Sequence, residues 1–415
     1  MSCLIRPRPL PPSTSSATAL RVKQIAGQIA PGNSTPGGNN SSNTAPRNGG
    51  SSSNRTRLSR PHHHQQQQQR STTSRTRTMS TSSATAGAAA PWRDLFLEHV
   101  DAMPSPEFSL STIRKVRSGR GATSSRSSAG GGSGGQVEVT PRVRTCVFRG
   151  MWADMPVNPK NEAERNPAGV FTSDLPVFTT DVRMDKMPEL FGVEVDEDAE
   201  PGRAGAGAAG AGGAKADEKV VGSGGGAPVE AMFWVKDSMV QWRLRGRAYV
   251  LAPEDADDGD ISSGADGASS EAGKKTVKTI LERMRPVDGS SSNSNSNSEA
   301  TKPWSVRREI YAHFENLSPG MRGTWRNPPS GQPIDLPVGD ERLKLGQKGD
   351  SLVKDDLARQ NFRVVVIVPE FVDRCDLSDP ARGRRWFYSF LGSDGQAKSP
   401  GGQVEGEWEK VEVWP

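Results

Sequence analysis

The chain has 415 residues, with 53 Lys+Arg, 48 Asp+Glu and a hydrophobic share of 33%. No apolar run approaches the ~20 residues that span a bilayer, so no membrane partner is expected. Cys3, Cys146 and Cys375 show neither metal-ligand spacing nor an even-numbered framework, which excludes a disulfide scaffold, leaves no metal site expected and points to a reducing compartment.

The first 90 residues are a basic, low-complexity tail. Residues 1–93 hold 12 basic and no acidic side chains, and the other 322 hold 41 basic and 48 acidic ones. The small net positive charge therefore belongs to the tail, while the body is acidic. All 9 Trp, 3 Tyr and 12 Phe lie at or after Trp92. Lacking interleaved aromatics, the tail is not read as a nucleic-acid binder. Its first 30 residues are compatible with a mitochondrial presequence. The preferred reading is a disordered leader on a cytoplasmic protein, with translation from Met1 or Met79 left open. The three histidines before polyglutamine, His62 to His64, read as compositional drift rather than a metal site.

The folded part is expected over 91–415. Trp92, Leu95, Phe96, His99, Val100 and Met103 form one stripe of an amphipathic helix over 91–103, with Pro91 at its start. His99 on that stripe reads as a structural histidine. Strands are expected at 142–149, 169–173, 175–181, 229–236, 239–252, 361–368, 385–391 and 407–413, and helices at 183–191, 276–285 and 303–316. Val364 to Val368 is uniformly apolar, which suits a strand buried on both faces. Four tracts, about 118–135, 196–227, 254–275 and 286–300, are rich in Gly, Ala, Ser or Asn and read as disordered insertions. Gly205 to Gly210 matches a dinucleotide fingerprint only by accident of an Ala/Gly repeat. Many strands, few helices and no βαβ alternation predict a mostly β, α+β fold: an antiparallel barrel with flanking helices.

Four motifs carry the functional reading. They are Pro141-Arg-Val-Arg144-Thr-Cys-Val-Phe-Arg149, Phe178-Thr-Thr-Asp-Val-Arg-Met-Asp-Lys186, Gln241-Trp-Arg-Leu-Arg-Gly246, and Arg385-Trp-Phe-Tyr388 followed by Trp408 to Pro415. The first two offer guanidinium, hydroxyl and ammonium donors suited to a phosphate monoester. In order and spacing the four resemble the motifs of the pyridoxamine 5'-phosphate oxidase-like, FMN-binding split-barrel flavoproteins. The resemblance implies a split β-barrel and a homodimer with FMN between the subunits.

Carried across, it implies that Arg144, Arg149, Thr180 and Lys186 hold the FMN phosphate, with Thr179 also at the cofactor site. The strand backbone at Thr145, Cys146 and Val147 would run beside the flavin, Gln241 would reach the ring edge, and Arg385 would contribute across the dimer interface. Arg183, Arg243 and Arg247 read as sheet-face cations. Ser318 and Arg322, with Tyr311, stand only loosely near the family's substrate-phosphate positions. Departures weaken a true pyridoxamine phosphate oxidase: Gly383 replaces the substrate-gripping histidine, Glu412 the terminal arginine, and Met184-Asp185 the Ser-Arg of the second motif. No catalytic residue is assigned. An FMN oxidoreductase acting on a small molecule is expected, with a non-catalytic flavin- or haem-type binding module as the alternative.

Overall fold

The computed structural model describes residues 88–117, 136–196, 220–259, 261, 266–287 and 303–415. The chain divides into two units, Met1–Thr78 and Met79–Pro415, and all described residues belong to the second. The tail, the tracts 118–135 and 288–300, and the Gly205 to Gly210 repeat lie outside the described residues.

A ten-stranded, mostly antiparallel sheet organises this unit. Its strands are β1 (Glu107–Arg117), β2 (Val137–Val147), β4 (Val177–Asp181), β5 (Glu194–Asp196), β6 (Gly224–Val235), β7 (Val240–Leu251), β9 (Phe362–Asp376), β10 (Arg384–Phe390), β11 (Gln403–Glu405) and β12 (Trp408–Val413). A separate pair joins β3 (Phe171–Ser173) to β8 (Met284–Pro286). The helices are α1 (Arg93–Asp101), α2 (Lys186–Phe191), α3 (Glu271–Leu281), α4 (Val306–Glu315), α5 (Pro319–Arg322) and α6 (Asp356–Asn361).

The strand order is β11-β12-β10-β9-β7-β6-β1-β2, with β4 paired to the first residues of β9. Just past β2, Arg149 N donates to Val177 O at 2.8 Å and Val177 N donates to Gly150 O at 2.9 Å. The hydrogen-bonded path β9-β7-β6-β1-β2-β4 thus returns to β9, while β10, β12 and β11 continue from the far half of β9.

The period of two along each strand sorts side chains to two sides of this ring. Leu110, Ala231, Phe233, Trp242, Leu244, Val365 and Ile367 fill one core. Phe96 of α1 enters it edge-on to Phe233 at 5.0 Å and Trp242 at 5.6 Å. His99 accepts a hydrogen bond from Trp242 Nε1 at 3.1 Å, the structural role its position suggested. The alternate residues Val364, Val366 and Val368 pack with Ile280, Ile310, Phe314 and Ala358 in a second core under α3, α4 and α6. The apolar run in β9 is therefore buried on both faces, as its composition predicts.

Three differences from the sequence expectation stand out. β1 was not expected, because its inward positions include Thr112 and Arg114, which interrupt the apolar alternation. β6 begins at Gly224, inside the tract read as an insertion, where Gly225 and Gly226 take positive φ beside a register shift opposite β7. Residues 254–275 are in large part built into the fold. Asp255 accepts from Ser269 Oγ at 2.9 Å and from Ser270 N at 2.8 Å and Ser270 Oγ at 2.7 Å, and Ser270 in turn caps α3 by accepting from Gly273 N. Polar residues there give local structure rather than solvation.

Candidate functional site

The predicted phosphate donors do not form one cradle. Arg144 lies in β2, whereas Arg149 follows the end of that strand. Arg144 turns inward with Cys146. Its guanidinium donates to Thr112 Oγ1 of β1 and to Glu189 Oε2 of α2, the latter at 2.5 Å. Arg149 lines a cavity with His313 and Asn316 instead. The two arginines expected at one phosphate thus have different surroundings.

What does converge is a cluster built from β1, β2, β4 and α2. Lys186 Nζ at the start of α2 donates to Thr180 Oγ1 of β4 at 3.0 Å and contacts Met184 Sδ at 2.8 Å. Among the described residues it has no carboxylate within ion-pair reach; Glu189 is taken by Arg144, and Asp181 by Arg183 at 2.6 Å. Burial, with Arg144 nearby, lowers the Lys186 pKa, and burial raises that of the Cys146 thiol. Arg114, which bonds Asp185 O, completes the wall, and Glu189 lies 3.9 Å from it. An incompletely paired, part-buried ammonium beside a hydroxyl and a guanidinium is a donor set short of an anion. The residues present fit the phosphate of a mononucleotide.

Among the described residues, the strand edge next to this cluster is open. Phe148 N bonds Pro106 O on the β1 side, whereas Arg149 N bonds Val177 O on the other. Alternation then turns the backbone groups of Val147 and Thr145 away from β1. Among the described residues β2 is paired along its length with β1 alone, its link to β4 coming beyond its end at Arg149 and Gly150. Thr145 is exposed and Val147 half-buried, both on the outer face.

Gln241 and Arg385 stand on that same outer face but several strands away. Arg385, Cys375, Gln241 and Trp234 form one register row across β10, β9, β7 and β6. From β2 to β7 is three strand spacings, roughly 14 Å at ~4.8 Å each, so Gln241 does not meet Arg144 within one chain. Arg385 binds Asp373 through two nitrogens, at 2.9 and 2.8 Å, and Arg243 shares that carboxylate. Burial pushes Asp373 upward, but the hydrogen bonds from Arg385 and Arg243 outweigh it and leave its pKa lowered. Thr179 is half-buried on β4, opposite Val364.

The loosely placed substrate residues have structural work. Ser318 caps α5 by accepting from Met321 N at 3.3 Å, and Arg322 pairs with Glu315. Tyr311 hydroxyl bonds Arg307 at 3.3 Å. Each thus has a partner of its own within the fold. Glu412 is held by Arg384 at 2.9 and 3.1 Å, and Arg247 pairs with Glu370 at 3.1 Å. The sequence reading missed Thr112, Arg114, Glu189 and His313. The first two lay in the unexpected strand, and the partnership of Glu189 depends on tertiary packing.

Residues 89–252 match the family described as pyridoxamine 5'-phosphate oxidase, FMN-binding domain. That segment contains β1, β2, β4, α2 and β7, and with them the cationic cluster. Among solved structures, a pyridoxamine 5'-phosphate oxidase-related FMN-binding protein from Nostoc punctiforme PCC 73102 is 14% identical, with a TM-score of 0.36 over 79% of this chain and 100% of that one. PhzG from Burkholderia lata 383, in complex with tetrahydrophenazine-1-carboxylic acid, is 11% identical, with a TM-score of 0.25 over 77% of this chain and 88% of that one. No curated protein matches the chain. The family match shows a pyridoxamine 5'-phosphate oxidase-type domain, whose cofactor is FMN.

Proposed function

We propose that this chain, with a pyridoxamine 5'-phosphate oxidase-type FMN-binding domain over 89–252, is an FMN-dependent oxidoreductase acting on a small molecule as a homodimer. The observation that carries the reading is the incompletely paired Lys186 beside Thr180 and Arg144, inside the segment that matches the family. When bound, FMN supplies the hydride and electron chemistry.

The chain's own residues bind and orient. Lys186, Thr180 and Arg144 hold the phosphate, with Glu189 fixing the Arg144 guanidinium until the anion shares it. The free backbone edge at Thr145 and Val147 offers N–H and C=O groups to a ring edge. Gln241 and Arg385 lie too far away on the outer face to join from the same chain. A second copy facing β2 would supply them, which supports the dimer. The β1–β2 part of the outer face carries exposed apolar side chains: Val143 is 71% exposed and Val139 59%, near Ile113.

A non-catalytic binding module is the second reading, favoured by Gly383 where a substrate-gripping histidine was expected and by Glu412 being occupied with Arg384. The visible spectrum of the purified chain, followed by anaerobic addition of a nicotinamide donor, separates the possibilities. Flavin bands that bleach support the oxidoreductase. Bands that persist with every nicotinamide donor support the module, and a colourless protein that takes up no FMN defeats both.

A further inference from the structure

A cavity of about 250 Å³ lies apart from the Lys186 cluster, lined by Val100, Met103, Phe148, Arg149, His313 and Leu317. Two of its polar side chains are incompletely satisfied. Arg149 Nε is buried without a partner, and its guanidinium makes no hydrogen bond or ion pair among the described residues. His313 is fully buried, and neither ring nitrogen has a hydrogen-bond partner there. Its Nε2 lies 3.8 Å from Glu309, and its ring stacks on Trp152 at 6.0 Å and 8°. Leaving a buried donor unmade costs about 1–3 kcal/mol, so two such groups on one cavity wall mark the place of a ligand.

The chemistry of the walls narrows that ligand. Burial, and secondarily Arg149, pulls the His313 pKa down to about 3, so the ring is neutral near pH 7 and has one N–H to donate. Asn316 also lines the cavity, but its amide is engaged with Asn158 N at 2.7 Å and Pro156 O at 2.8 Å. Asp101 is exposed, where solvent screens it. The unsatisfied donors are thus a planar guanidinium and an imidazole, facing Val100, Met103, Phe148 and Leu317. A guanidinium fork matches a carboxylate, and the apolar walls match a short hydrocarbon body. The volume is below the roughly 300–1,000 Å³ of sites for drug-sized ligands.

We propose that this cavity binds a small monocarboxylate with a compact apolar body, its carboxylate held by Arg149 and accepting a hydrogen bond from His313. The site does not depend on where FMN sits. Isothermal titration of the full chain as purified, with benzoate and with its neutral isostere benzamide as probes, tests it. Benzoate is expected to bind saturably, at least about tenfold tighter than benzamide. Arg149→Met is expected to weaken benzoate about tenfold or more while leaving benzamide within about twofold. His313→Phe keeps a ring on Trp152 and is expected to weaken benzoate about three- to tenfold. Absence of saturable benzoate binding, equal affinity for the two probes, or undiminished benzoate binding by Arg149→Met overturns the proposal. The probe ratio on the unmodified chain decides the matter even if a variant fails to fold. Flavin absorbance on the same samples distinguishes loss of the cofactor from loss of this site.

Discussion

Lys186→Met separates a residue kept for binding from one kept for stability. The ammonium is part-buried, its partners are a hydroxyl and a thioether, and burial with Arg144 lowers its pKa. Methionine fills similar volume without the charge, so the flavin-free chain is expected to keep its melting temperature or gain a few degrees. A charge-assisted hydrogen bond to phosphate contributes about 1.5–3 kcal/mol, which converts to roughly a 10- to 150-fold loss of FMN affinity. Fluorescence titration with FMN and thermal unfolding without it give the two readouts. A variant that melts several degrees lower yet binds FMN as before would make Lys186 a structural residue and refute this reasoning.

Arg144 and Arg149 should separate in the same assay: Arg144→Ala is expected to lose about tenfold or more in FMN affinity, whereas Arg149→Ala keeps it within about threefold. Gly246→Ala drives its Cβ into Val368 O at the bulge between β7 and β9, and urea unfolding should show a loss of about 1–3 kcal/mol or more. His313 has its folded pKa lowered to about 3 from an ordinary 6.5. The unfolded chain therefore binds the extra proton between those values, and this group's stabilising contribution, full above pH 6.5, is lost as pH falls through that window. Its slope is at most about 1.4 kcal/mol per pH unit, and acid titrations of wild type and His313→Phe should differ there; coincident curves would contradict the buried neutral imidazole.

Much of the fold was legible because the core obeys simple periods. The stripe through Trp92, Phe96 and Val100 located α1, and the five-residue apolar run in β9 announced a strand covered on both sides. The reading failed where polar side chains point inward. Thr112 is taken by Glu189 and Arg144, so an inward position of β1 looks like a surface one in sequence. It also failed where β9 runs past Pro369, a residue tolerated because it lies opposite Gly246 at a register shift. Glycine content hid the start of β6, whose Gly225 lies within 2.8 Å of Ala248 O for any added Cβ. The residue types of the site were visible, but their geometry was only half read. The strand expected at 142–149 ends at Val147, which leaves Arg149 beyond it, and no local pattern reveals that Glu189 reaches across to Arg144.

The relative affinity of the full chain for FMN and for riboflavin tests the phosphate-holding cluster most directly, since the two ligands differ by one phosphoryl group. With Lys186, Thr180 and Arg144 as its donors, FMN should bind about a hundredfold tighter or more, and Lys186→Met should shrink that margin. Equal affinities, or a preference for FMN that survives the removal of both Arg144 and Lys186, would contradict the assignment.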